Sequence, residues 1–243
     1  MQKRFEELSS RAAQRYYTAF SDFLTMEEQS ELLSLRLESP FKLFGGYEGA
    51  ERCVAAFGED CENDDFPISY IKIEPVAKKF ADKLTHRDFL GSLMNLGIKR
   101  ETLGDIIIKD NTGYLMCLDT VADFIANDLT RVKHTSVKCN AVSALPEGMQ
   151  SEPQEQEEIV ASLRIDVLTA AVYNLSRNAV KELFNQRKIF VNSALCENFS
   201  FIPKEGDVIS VRGKGRFKYG ETLGKTKKGR LIVQLFVYQQ NYR

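Results

Sequence analysis

Between Phe5 and Leu37 apolar residues recur at mixed spacings of three and four, the period of helices with one buried face. The pattern predicts two helices, the second opened by Thr25 with Glu27 and Glu28 in its first turn. Past Pro40 it breaks into the short apolar runs of FKLFGGYEGAERCVAAF, where Gly45, Gly46 and Gly49 suit a turn or a close backbone approach. From Ile68 to Val142 two periods alternate. ISYIKI reads as a strand, DIIIKDNTGYLMCL as a hairpin turning at Asp110 to Gly113, and VKHTSVKCNAV as a final alternating strand. Between them THRDFLGSLMNLG sets Phe89, Leu90, Leu93, Met94 and Leu96 on one helix face behind Thr85 as N-cap, and TVADFIANDL is a helix beginning at Asp119 or Thr120.

That order, β-α-β-β-α-β, is the split βαβ arrangement of ferredoxin-like domains, shared by RNA-recognition motifs. The K/R-G-F-G-F-type stacking strand of those motifs is absent, because the equivalent strand reads Tyr114, Leu115, Met116, Cys117, Leu118. Further on, Ser162 is placed to cap a helix through Leu163, Val167, Leu168 and Val172, and Ser176 one through Val180, Leu183 and Phe184. KIFVN and GDVISV follow as strands, the second introduced by a Gly206-Asp207 turn. The expected fold is α+β and multidomain. It comprises a small α/β N-terminal segment (1–65), a ferredoxin-like, RRM-like middle domain (66–145), a linker (146–160) and a basic C-terminal domain (161–243).

Charge sharpens this division. From Leu163 onward there are fifteen Lys or Arg against six Asp or Glu, so a chain of net charge −1 carries +9 in its last third and −10 before it. Such asymmetry points to a polyanion-binding module attached to something else. Between the halves lies PEGMQSEPQEQEE, Pro146 to Glu158, with five Glu, two Pro and no basic residue, a composition expected to stay extended. No apolar run approaches the ~18 residues of a membrane span, and MQKRFEELSSRAAQRYY lacks the apolar core of a signal peptide. A cytoplasmic monomer without cofactors is the expectation.

The chemistry-bearing residues are few. Five cysteines without a C-x-x-C pair, and only His86 and His134 as histidines, leave no metal site or catalytic thiol to propose. His86-Arg87-Asp88 matches a kinase catalytic triplet without any companion element. It reads either as the first turn of an amphipathic helix or as part of a surface presenting His86, Arg87, Lys99 and Arg100 to a partner. The strongest signal is SVRGKGRFKYGETLGKTKKGRLIV, with eight cations against Glu221 alone. If extended, Arg212, Lys214, Arg216 and Lys218 share one side, with Lys227, Lys228 and Arg230 beyond. The glycines let backbone amides approach phosphates, and Phe217 and Tyr219 are placed to stack on an unpaired base. Two short helices against a small sheet would turn Arg164, Arg177, Lys181, Arg187 and Lys188 toward one surface.

Arg164-Ile165-Asp166, Ser176-Arg177, Leu183, Lys188, Val191-Asn192 and Gly206-Asp207-Val208-Ile209 resemble the S-four RNA-binding domain, named after a small-subunit ribosomal protein. Agreement covers about fifty residues, and Arg187 and Ser193 depart from it by standing where such domains usually have glycine. With FGGYEGAER, LTHRDFLGSLMNLGIKRE and RGKGRF, nearly the whole chain resembles the YlmH family. The resemblance implies a non-enzymatic bacterial RNA binder associated with the ribosome, through large-subunit rRNA or peptidyl-tRNA. It also implies a part in rescue or quality control of stalled ribosomes and, in some lineages, in cell division. Two alternatives stand beside it: an rRNA- or tRNA-modifying enzyme of the pseudouridine synthase or methyltransferase type, and a protein-interaction scaffold. Residues 1 to 162 show no catalytic-Asp signature, methyl-donor loop or adenylation motif.

Overall fold

The computed structural model describes residues 1–238 except 16, 60, 147 and 150–152. It divides into two compact units, Met1–Gln150 and Ser151–Gln240. The first unit opens with α1 (Gln2–Arg15), β1 (Ala19–Leu24), α2 (Met26–Leu33), β2 (Phe41–Phe44) and β3 (Cys53–Phe57), its strands antiparallel in the order β1-β3-β2. Thr25 and Glu28 close a reciprocal capping box at the start of α2. A strand, β1, stands between the two expected helices; its six residues bury Ala19, Ser21, Phe23 and Leu24, an alternation too short to stand out inside a helical pattern.

The same unit continues with β4 (Ile68–Pro75), α3 (His86–Asn95), β5 (Leu103–Lys109), β6 (Thr112–Leu118), α4 (Asp119–Asp128), β7 (Arg131–Val132) and β8 (Thr135–Val142). The sheet is antiparallel in the order β5-β6-β4-β8-β7, the ferredoxin-like arrangement with a short extra strand. Asp110 and Asn111, both left-handed at φ 49° and 61°, make the two-residue turn of the β5–β6 hairpin. Ile71, Ile73, Leu115 and Cys117 face α3 and α4, meeting Phe89, Leu93, Ala122 and Ile125. The opposite face is also covered, since Ile107, Met116, Leu118, Ile68 and Tyr70 pack with Phe66 and with Phe23, Val54 and Ala56 of the N-terminal segment. The expected break at 65/66 is therefore no break in packing: the two segments bury one apolar layer between two sheets.

The second unit holds β9 (Gln154–Val160), α5 (Ile165–Tyr173), α6 (Arg177–Asn185), β10 (Ile189–Val191), β11 (Ala194–Leu195), β12 (Val208–Val211), β13 (Gly215–Lys225) and β14 (Leu231–Tyr238). Its six strands run β11-β10-β12-β13-β14-β9. The helices cover one face, where Leu168, Val180 and Phe184 meet Ile209, Val211, Phe217, Val233 and Leu235.

Two expectations are corrected here. The acidic stretch is not a free linker: Gln154–Val160 pairs antiparallel with β14 from Leu231↔Val160 to Val237↔Gln154. Main-chain hydrogen bonds need no apolar side chains, and acidic side chains suit an edge strand, where they discourage pairing with another chain. Ser162 does not cap α5; Arg164 occupies that position, and the Asp166 carboxylate accepts from the Val167 N–H at 3.0 Å.

Candidate nucleic-acid interface

In the second unit the α6–β10 corner gathers cations. Ser176 caps α6 by accepting from the Ala179 N–H at 3.2 Å. Val180 and Phe184 then turn inward, leaving Arg177 and Lys181, four apart, exposed on the outer face. Arg187 ends the helix in the left-handed region, φ 54°. This lets Lys188 N–H reach the Leu183 carbonyl (3.0 Å) and Arg187 N–H the Phe184 carbonyl (2.9 Å), a Schellman closure. Glycine is the usual residue at that position, which is the physical content of the departure at Arg187; Ser193, φ 67°, stands in the same region. The Arg212 N–H donates to the Lys188 carbonyl at 2.9 Å, so the β12–β13 turn, with exposed Arg212 and Lys214, lies beside Arg187 and Lys188. Exposed Arg187 also stands 3.8 Å from Glu197.

The other sequence-predicted cations are distributed differently from expectation. Arg164 is engaged by Asp166 through Nε (3.0 Å) and a terminal nitrogen (2.8 Å), and lies 5.7 Å from the Phe199 ring centre. Arg212 to Lys218 is not one extended run: Gly213 at φ 78° and Gly215 at φ 121° turn the chain, and only Arg216 and Lys218 lie within β13. Lys227, Lys228 and Arg230 crowd the exposed tip of the β13–β14 hairpin, turned at Gly229, φ 75°. That tip is roughly 30 Å along the strand from Arg212, at ~3.3 Å per residue.

Phe217 and Tyr219 cannot stack on a base. They are 0% and 3% exposed, Phe217 against Tyr173 and Tyr219 hydrogen-bonded to Thr222. The aromatics that share a face with the cations come from β14 instead: Arg216 lies 4.2 Å from the Tyr238 ring centre and Lys218 4.9 Å from that of Phe236. The signal was present as alternation in LIVQLFVY, with Val233 and Leu235 inward and Phe236 and Tyr238 outward, but strand register was needed to read it.

In the first unit the His86 cluster separates. Asp88 caps α3, accepting from the Thr85 N–H (2.8 Å) and hydroxyl (2.7 Å), and these hydrogen bonds hold its carboxyl below the usual value. His86 is half-buried, its pKa lowered by burial and then by Arg100. Arg100 points inward to the Leu103 and Gly104 carbonyls at 2.6 and 3.3 Å, leaving Arg87 and Lys99 as the exposed pair. Burial pushes the Cys53 and Cys117 thiols up to about 12 and Cys139 to about 11, which makes them inert at neutral pH. Among the described residues no His, Cys, Asp and Glu group gathers as metal ligands would, and no helix is long and apolar enough to cross a membrane.

A family model described as "Putative RNA-binding domain in YlmH" matches residues 61–145. The "Ribosome-associated protein quality control protein P2" of Bacillus subtilis (strain 168) is 31% identical over 229 residues, spanning 90% of this chain and 87% of its own. The chain belongs to the YlmH family. A solved structure titled "Cell division protein ylmH from Streptococcus pneumoniae" is 21% identical, with a TM-score of 0.48 over 58% of this chain and 88% of that one.

The stretch FGGYEGAER, one of those that carry the YlmH resemblance, has a structural account in this member. Buried Asp105 of β5 accepts from the Tyr47 hydroxyl (2.9 Å) and the Glu51 and Arg52 N–H groups (2.7 and 3.2 Å). Burial raises the Asp105 pKa, opposed by those donors and by Arg52. The Arg52 guanidinium donates to the Leu103 and Phe23 carbonyls at 2.8 Å each. Gly46, φ 93°, lies where a Cβ would come within 2.8 Å of Met116. These residues fasten the N-terminal segment to the ferredoxin-like sheet, and they close off the face that an RNA-recognition motif leaves open for stacked bases.

Proposed function

We propose that this protein is a non-enzymatic RNA binder that docks on the ribosome, on large-subunit rRNA or peptidyl-tRNA, in the rescue or quality control of stalled ribosomes. The observation that carries the reading is the corner where Arg177 and Lys181 of α6, Arg187 and Lys188 of the following turn, and Arg212 and Lys214 of the β12–β13 turn stand on adjoining elements. Cations held by main-chain geometry on neighbouring elements suit the phosphates of folded RNA, which is recognised chiefly by shape and backbone. The name of the Bacillus subtilis relative supports association with the ribosome. Against chemistry at His86-Arg87-Asp88 stands the Asp88 cap, which commits that carboxylate to Thr85.

The test is charge reversal. Arg177→Glu, Lys181→Glu and Lys188→Glu together should weaken co-sedimentation with large ribosomal subunits by about tenfold or more, with the melting temperature little changed. For every phosphate that no longer meets a cation, the log–log salt slope should fall by roughly 0.7 to 0.9. Unchanged co-sedimentation would refute the assigned face.

A further inference from the structure

The β4–α3 loop of the first unit carries a feature that ribosome docking through α6 leaves unused. Val76 and Phe80 are 64% and 85% exposed, and Lys78 and Lys79 stand between them, Lys79 Nζ 5.9 Å from the Phe80 ring centre. The loop is held at both ends: Val76 N–H donates to the Ser136 carbonyl (3.0 Å) and Asp82 N–H to the Thr135 hydroxyl (2.9 Å). Between these anchors a single 3-10 turn, Lys78–Phe80, is closed by the Phe80 N–H on the Ala77 carbonyl at 3.1 Å. Phe80 is thus presented by a tethered loop.

Lys78 of this turn also reaches the outer face of the ferredoxin-like sheet, beside β4 and β6. Lys72 and Tyr114 stand opposite each other there on β4 and β6. A cleft of about 230 Å³ is lined by Lys72, Lys78, Lys109 and Tyr114, with Glu74 and Asp110 as its acids. Glu74 and Lys72 are committed to each other at 2.9 Å, and Lys138 bridges Glu74 from the other side at 3.2 Å. What remains is a cleft with Lys78 and Lys109 as its uncommitted cations, and Lys78 shares its 3-10 turn with the exposed Phe80 ring, a combination suited to holding a backbone phosphate and stacking its unpaired base.

We infer that Phe80, with Lys78, Lys79 and Lys109, forms a second RNA contact that captures an unpaired nucleotide. It rests on the RNA-binding reading but uses a different unit and different residues. A paired stem offers phosphates without a free base face, so the Phe80 contribution is specific to single-stranded or looped RNA.

The full-length protein is titrated with two labelled probes: an RNA hairpin with an adenosine-rich loop, and a duplex of the same stem without a loop. Phe80→Ala should weaken hairpin binding about fivefold or more and leave duplex binding unchanged, with Phe80→Tyr restoring the difference. Lys78→Glu with Lys79→Glu should weaken both probes and flatten the salt slope. Hairpin affinity unaltered by Phe80→Ala, while the α6 triple reversal weakens both probes, overturns this site and leaves the α6 face standing. The converse result removes the α6 face and keeps this site. If Phe80→Ala leaves both RNA affinities intact but reduces co-sedimentation with ribosomes, the loop docks on protein and the inference falls.

Discussion

Two residues show how far a single side chain reaches in this molecule. Asp105 is fully buried and serves three donors, two of them main-chain groups of the FGGYEGAER turn. Asp105→Ala strands those donors and leaves Arg52 beside an apolar gap, so it should cost about 3 kcal/mol, read as a lowered urea midpoint. Arg187 presents the opposite case, a side chain proposed to meet RNA on a backbone that favours glycine. Relieving a left-handed non-glycine residue recovers at most about 1 kcal/mol. Arg187→Gly should therefore raise the melting temperature slightly while weakening RNA binding by one phosphate contact. A variant that loses stability would remove the strain argument. The glycine preference at 187 and 193 was visible by resemblance to the S-four domain; the positive φ that explains it was not.

At the scale of elements, the helices were legible because their information is local. Thr25 with Glu28, Thr85 with Asp88 and Ser176 with the Ala179 N–H are caps formed within four residues of chain. β9 was not legible, because what makes Gln154–Val160 a strand is the free edge of β14, more than seventy residues later. Truncation exposes the difference. A fragment beginning at Leu163 lacks β9 and bares the β14 edge, whereas one beginning at residue 151 keeps the sheet whole. The shorter fragment should melt lower and scatter light on warming, and the longer one should do neither. Equal behaviour of the two would show β9 to be dispensable.

Across the whole molecule the charge map changes once the strands are paired. Residues 163–243 carry +9, but the compact unit Ser151–Gln240 includes the acids of β9 and has fourteen basic against ten acidic residues, +4. The separation of charge runs across one sheet as well as along the chain: Glu155 and Glu157 mark one edge strand, and Lys188, Arg212 and Lys214 collect toward the other side. Sequence counting assigns the excess of cations to the last third of the chain. It treated Arg212 to Arg230 as one patch, whereas the long β13–β14 hairpin divides them between its two ends.

What the chain's sequence determined unaided was the helices, the β-α-β-β-α-β order and the excess of positive charge near its end, since each is a property of neighbouring residues. Only the tertiary structure decided that Phe217 and Tyr219 belong to the core while Phe236 and Tyr238 accompany the cations, that an acidic run becomes an edge strand, and that the N-terminal segment covers the RRM-like face. The reason is the same in each case: which side of a strand meets solvent depends on the pairing and layering of segments far apart in the chain, and local periodicity carries no information about that partner.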